Sequence, residues 1–206
     1  MVKAAFDTNF SGTTCCNIIF AGRKGFCANV GDSRAVVASA GGSGGYIARA
    51  VSRDHKPSEK DESARIIRAG GRVQQYRDPM SHELLGPLRV WARTEEYPGL
   101  AMTRSMGDEV AKRLGVTAEP EITEIAFSEK DKFVIVGSDG VWEFMSNQEA
   151  VEIVAPFYEK NNAEGAAESL VRDALRRWRS REDVVDDITC VILFLDVPPE
   201  EPIMGK

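Results

Sequence analysis

The chain opens on short apolar and β-branched runs broken by glycine. Thr13 to Ala21 (TTCCNIIFA), Gly25 to Val30 (GFCANV), Ala35 to Ala38 (AVVA) and Tyr46 to Val51 (YIARAV) each read as a strand. Gly31-Asp32-Ser33 separates the second run from the third and predicts a tight hairpin turn. Gly41-Gly42-Ser43-Gly44-Gly45 has the composition of a phosphate cradle, but neither Gly-Lys-Ser/Thr nor a helix start follows it. It predicts a flexible hairpin loop instead. A helix is expected after Pro57, with Ser58 as N-cap, Asp61 three residues on, and Ile66, Ile67 and Ala69 on its apolar side. Gly70-Gly71 stops it.

Residues 73–99 hold Pro79, Pro87 and Pro98 among mixed charges and read as one long irregular loop of the kind that carries function. Strands return at Glu121 to Phe127 and at Lys132 to Val136 (KFVIV). The second is a continuous apolar run, the mark of a strand buried on both faces. Ser146-Asn147-Gln148-Glu149 is a capping box, followed by Ala150, Ile153, Val154 and Phe157 at helical spacing. A further helix places Ala167, Leu170, Val171, Ala174, Leu175 and Trp178 on one stripe, and Ile188 to Leu195 forms a last strand. Sequential hairpins with helices grouped apart predict an α+β fold of mainly antiparallel sheet. A doubly wound nucleotide-binding fold would need regular βαβ alternation, which the pattern does not have.

Composition adds limits. At 206 residues, 43% hydrophobic and 28% charged, the chain predicts one globular domain over residues 1–197, with a frayed tail at 198–206. Its net charge of −6 argues against a nucleic-acid partner. No apolar run approaches the roughly 20 residues of a membrane helix, and Met1 to Asp7 shows no signal-peptide core. Cys15, Cys16, Cys27 and Cys190 form no C-x-x-C pair and read as reduced core thiols of an intracellular protein, cytoplasmic or nuclear.

Candidate chemistry lies at strand ends. Asp139, in Gly137-Ser138-Asp139-Gly140, follows the buried strand, and its glycines permit a sharp turn. Asp186-Asp187 precede the last strand, and only one of the two can face inward. If these two strands are antiparallel, Asp139 and Asp186 converge at one sheet edge. Converging carboxylates call for a hard divalent cation, Mg²⁺ or Mn²⁺. Asp32 sits in its own turn, where it either bonds its backbone or joins such a site. Glu143, four residues past Asp139, could reach the same region.

Seven segments, in order, resemble the protein phosphatase 2C family of metal-dependent phosphatases. They are Ser11-Gly12-Thr13-Thr14, Asn29-Val30-Gly31-Asp32-Ser33-Arg34, Asp54-His55-Lys56-Pro57, Ala69-Gly70-Gly71-Arg72-Val73, the stretch from Leu100 to Asp108 (LAMTRSMGD), Ser138-Asp139-Gly140-Val141-Trp142-Glu143, and Asp186-Asp187-Ile188-Thr189. The resemblance implies a partial β-sandwich flanked by helices and Mg²⁺- or Mn²⁺-dependent hydrolysis of phosphoserine and phosphothreonine in proteins. Two core metals, with a third in some members, would bind the phosphate and lower the pKa of the attacking water. Asp139 and Asp186 would ligate a core metal, while Asp32, Asp139 and Glu143 would line the third site. Gly140 and Asp187 are lesser metal candidates.

Arg104 and Arg34 are candidate phosphate ligands or, alternatively, structural ion-pair partners. His55 reads as a loop or capping histidine rather than a catalytic acid. Where the family carries D-N, this chain has Asp186-Asp187. The family's R-x-x-[MN]-E-D and D-G-H-G-G segments, which carry the phosphate arginine, the bridging aspartate and the proposed acid, do not occur in the sequence. The expectation is weak or absent turnover by this chain alone, with a regulatory pseudophosphatase as the alternative. A phosphoprotein is the expected substrate, and self-association through unpaired strand edges is expected too. The D-x-D motif of aspartyl-phosphate hydrolases does not occur.

Overall fold

The computed structural model of the chain describes residues 7–42 and 44–198. Along it run β1 (Gly12–Thr13), β2 (Cys15–Ala21), β3 (Lys24–Val30), β4 (Arg34–Ala40), β5 (Tyr46–Ala50), α1 (Lys60–Arg68), β6 (Arg72–Arg77), β7 (Leu84–Trp91) and β8 (Pro98–Leu100). There follow β9 (Met106–Gly107), α2 (Glu109–Lys112), β10 (Glu121–Ala126), β11 (Asp131–Gly137), α3 (Asp139–Trp142), α4 (Asn147–Tyr158), α5 (Ala163–Arg179) and β12 (Cys190–Phe194). The elements gather into two compact units. One combines the stretch ending at Cys15 with Asn29–Asp32 and Arg53–Glu121; the other combines Cys16–Ala28, Ser33–Ser52 and the stretch from Ile122 onward.

The second unit is a β-sandwich with helices on one side. Its sheets run in the order β10-β3-β2 and β12-β11-β4-β5. Side chains alternate along β4 and β11, so each strand serves two cores. Ala35, Val37 and Val134 face the inter-sheet core with Cys27, Ile125 and Phe127. Val36, Ala38, Phe133 and Ile135 face the helices, against Val151, Val154, Ala166, Leu170 and Ala174. The expectation that KFVIV is buried on both faces is met.

The buried stripe of α5 is Ala166, Leu170 and Ala174; Leu170 and Ala174 are as expected, while Ala167, Val171 and Leu175 are half-buried. The capping box is present: Ser146 Oγ accepts from the Glu149 amide at 3.3 Å, and the Ser146 amide donates to the Glu149 carboxylate at 2.8 Å. Ser146→Ala is expected to cost about 1 kcal/mol of stability in urea unfolding. The glycine run at 41–45 closes the β4–β5 hairpin, with the Gly41 amide donating to the Gly45 carbonyl at 2.7 Å. Ser43 lies outside the described residues, as does the expected tail beyond Pro198.

The first unit holds α1, the sheet β6-β7-β8, the pair β1-β9 and a small core of Ile66, Val90, Ala111 and Val116. Three expectations are corrected here. Residues 73–99 are mostly an antiparallel sheet, not a loop. Pro87 is accommodated because Gln75 pairs with Leu88 and Tyr76 with Leu85, so Gly86-Pro87 bulges out of the ladder where no N–H is needed. Second, α1 begins after Glu59 without a side-chain cap, so Ser58 is not its N-cap. Its end is as expected: the Gly71 amide donates to the Ile66 carbonyl and that of Gly70 to Ile67, both at 3.0 Å, a Schellman closure with Gly70 at φ +88°. Third, Ile67 is 60% exposed, and the buried face of α1 is Glu62 and Ile66.

Candidate metal centre

β11 and β12 are antiparallel in the register Val136↔Val191, Gly137↔Cys190. The antiparallel condition set out from sequence is therefore met, and the strand end that precedes Asp139 lies beside the one that follows Asp186. Hydrogen bonds continue past the ladder. The Ser138 amide donates to the Thr189 carbonyl at 3.0 Å. Ser138 Oγ donates to the Asp187 carbonyl and accepts from the Thr189 amide, both at 3.1 Å. A Cβ on Gly140 would stand 2.3 Å from the Asp187 carbonyl oxygen, so only glycine allows the two segments to approach this closely. The Gly140 carbonyl accepts from the Trp178 indole at 2.7 Å, and the Gly137 carbonyl from the Trp142 indole at 2.9 Å. Gly140 is thus a packing residue whose carbonyl oxygen already takes one hydrogen bond.

Asp139 is half-buried, while Asp186, Asp187 and Glu143 are exposed. Asp186 Oδ1 accepts from the Asp187 amide at 2.8 Å. Among the described residues, no group of three or more His, Cys, Asp or Glu side chains is gathered to hold an ion by itself. The donor set of this unit is nevertheless all carboxylate oxygen, which suits a hard cation completing its shell with water and phosphate. Arg34 does not stand free for phosphate. It donates to Asn147 Oδ1 at 2.8 Å and lies 5.3 Å over the Trp142 ring.

In the other unit Asp32 is 4% exposed. Its turn is not a hairpin, which corrects the expectation: β3 pairs within one sheet and β4 within the other. Gly31 therefore bonds elsewhere. Its amide donates to His55 Nδ1 at 3.1 Å and its carbonyl accepts from the His55 amide at 3.0 Å. Gly31 has φ +100°, and a Cβ there would meet Thr14 Cγ2 at 2.4 Å.

Beneath this turn lies an ion network. Glu62, fully buried, accepts from Arg65 at 2.7 and 2.8 Å, from Arg104 at 2.7 Å and from Thr103 Oγ1. Burial opposes ionisation of Glu62, yet hydrogen bonds from Arg65, Arg104 and Thr103 outweigh it and hold its pKa far below the carboxylate range. Arg104 also donates to the Glu119 carbonyl at 2.9 Å. Of its two expected roles, the structural ion pair is the one seen. Burial and then the Arg104 charge push the His55 pKa down.

A family model described as Protein phosphatase 2C matches residues 3–182. The chain belongs to the protein phosphatase 2C family. Its curated relatives include "Probable protein phosphatase 2C 12" of Oryza sativa subsp. japonica, 43% identical over 92% of this chain and 47% of the relative. "Probable protein phosphatase 2C 73" of Arabidopsis thaliana is 41% identical over 92% of this chain and 49% of the relative. This phosphatase 2C chain thus spans about half the length of the curated relatives it matches. Among solved structures, a serine-threonine phosphatase 2C from Toxoplasma gondii superposes with a TM-score of 0.77 at 23% identity, covering 90% of this chain and 59% of that one. A C. elegans sex determining protein gives 0.66 at 22% identity, covering 90% and 40%. These two show the same fold.

Sequence reading of this phosphatase 2C chain missed two residues. Glu62 stands among charged residues along the chain, and nothing in that pattern singles it out. Asp108 is buried in left-handed conformation at φ 47°, its carboxylate against Gly12. The Gly107-Asp108 pair was the available signal, since a residue after glycine in a tight turn is one that backbone strain can single out.

Proposed function

We propose that the chain carries part of the catalytic domain of a protein serine/threonine phosphatase, acting on phosphoserine and phosphothreonine with Mn²⁺ or Mg²⁺. The observation that supports this reading best is the β11–β12 register, which sets the segments bearing Asp139 and Asp186 side by side. Asp139 and Asp186 are the proposed cation-holding carboxylates of their unit. Asp187 and Glu143 stand close by in sequence, and the part of Asp32 is read from the family resemblance alone. A bound divalent cation supplies Lewis acidity toward phosphate oxygens and lowers the pKa of water. The chain's own contribution is to hold the carboxylates. Ser138 ties the two backbone segments together, and Trp142 and Trp178 occupy carbonyls that would otherwise need water.

The substrate is proposed to be a phosphoprotein. No helix among the described residues is long and apolar enough to cross a membrane. Self-association is proposed at the outer strands β2 and β12, where Ile19, Phe20, Val191 and Leu193 are exposed.

Calorimetric titration with Mn²⁺, alongside p-nitrophenyl phosphate hydrolysis, tests the reading. Mn²⁺ binding with weak or absent turnover is expected of this chain, whose sequence has no D-G-H-G-G segment. A chain that takes up no Mn²⁺ would sink the metal reading; brisk Mn²⁺-dependent turnover would sink the expectation of weakness.

A further inference from the structure

We propose that His55 is the positioning residue for Asp32, gripping the amide and the carbonyl of Gly31, from which the Asp32 backbone departs. The grip has two hands. The His55 amide donates to the Gly31 carbonyl at 3.0 Å, and His55 Nδ1 accepts from the Gly31 amide at 3.1 Å. Asn29 Nδ2 adds a third contact to the Gly31 carbonyl at 3.2 Å. An amide at that distance needs a lone pair on Nδ1, so the imidazole is neutral and its proton sits on Nε2. Nε2 is buried, finds no hydrogen-bond partner among the described residues, and lies 3.6 Å from Glu121 Oε2. The Nδ1 contact is the one that this orientation preserves.

The grip is itself anchored. The His55 carbonyl accepts from the Thr103 amide at 2.8 Å and lies 2.9 Å from Thr103 Oγ1. Thr103 Oγ1 also reaches Glu62, which Arg65 and Arg104 hold from the far side. A chain of short contacts therefore runs from the buried carboxylate of α1 through Thr103 and His55 to the turn that carries Asp32. Gly31, at φ +100° and against Thr14, cannot relax into another conformation without losing that packing. The consequence for function rests on the proposed metal-facing role of Asp32; the grip itself does not.

The test separates the two. In a ¹⁵N-labelled chain, long-range ¹H–¹⁵N correlations should show His55 with Nδ1 bare and Nε2 protonated; a protonated Nδ1 overturns the proposal without any variant. His55→Asn places a carbonyl oxygen near the Nδ1 position, whereas His55→Gln reaches toward the Nε2 position. The Gly31 amide should exchange slowly in the wild type and in His55→Asn, and about tenfold faster in His55→Gln. Mn²⁺ affinity should follow the same order, about tenfold weaker in His55→Gln than in His55→Asn, as when a group that orients a metal ligand is lost. Equal Gly31 exchange in all three proteins overturns the grip. Asp32→Asn with unchanged Mn²⁺ affinity and a protected Gly31 amide overturns the metal role of Asp32 and leaves the grip standing.

Discussion

Glu62→Ala is expected to remove about 3–5 kcal/mol of stability in urea unfolding, because it strands buried guanidinium groups. Arg104 is 13% exposed and Arg65 27%, and both direct their charge at Glu62. Neither can swing out to water without leaving the carbonyls of Glu119, Gly115 and Thr103 that they also hold. Glu62→Gln keeps the volume and one acceptor oxygen but not the charge, so its loss should be roughly half as large.

The pH dependence has a definite sign. The folded pKa of Glu62 lies below its ordinary value of 4.5. The stability it contributes is therefore complete above the unfolded value and is lost as pH falls through the folded one. Wild-type unfolding free energy should decline below about pH 5, and Glu62→Ala should flatten that decline. An acid limb equally steep in both proteins would show that the acid sensitivity arises from other carboxylates.

Gly140→Ala is expected to cost about 1–3 kcal/mol and to weaken Mn²⁺ binding by 10- to 100-fold, although it removes no ligand. The added methyl would press on the backbone of Asp187 and Ile188 at 2.3 and 3.1 Å, where no side-chain rotamer can give way. The 186–188 segment would then move off the Asp139 turn and break the Ser138 bridge. Asp139→Asn is the matched control. It should lose Mn²⁺ affinity while the Gly140 clearance and the Ser138 bridge stay intact, because it deletes a charge and adds no bulk. If Gly140→Ala binds Mn²⁺ as the wild type does, the close approach of the two segments does not matter to the site.

What could be read from sequence was what neighbours along the chain decide. KFVIV names its own two-sided burial, and Ser146 with Glu149 name their cap. The two apolar runs with aspartates at their ends made a convergence of Asp139 and Asp186 conditional on antiparallel pairing, and the β11–β12 register meets that condition. Partners distant in sequence were harder. Gly31-Asp32-Ser33 looks like a hairpin turn because its flanks are apolar, but the Gly31 amide is taken by His55, 24 residues away. Residues 73–99 looked like a loop because prolines suggest broken structure; the bulge at Gly86-Pro87 and the edge position of Pro98 remove that objection only once the pairing is known. Glu62 and Asp108 were invisible for a related reason. Burial of the Glu62 charge depends on the groups that surround it, and of these Arg104 and Thr103 arrive from some forty residues away.

The two-sided burial of β11 also bears on how Asp139 stays in place. Phe133 and Ile135 fill the space against the helices, and Val134 fills the narrower gap between sheets. Sliding β11 by one position along β12 would drive a phenylalanine into the valine-sized gap and leave a valine among Tyr46, Tyr158 and Phe194. Both cores would object at once. The sizes of side chains four to six residues upstream thus act as a ratchet on the carboxylate. Asp139 thereby keeps its position opposite the 186–188 segment, in addition to the hold that the Ser138 bridge and the Trp142 and Trp178 indoles have on its turn.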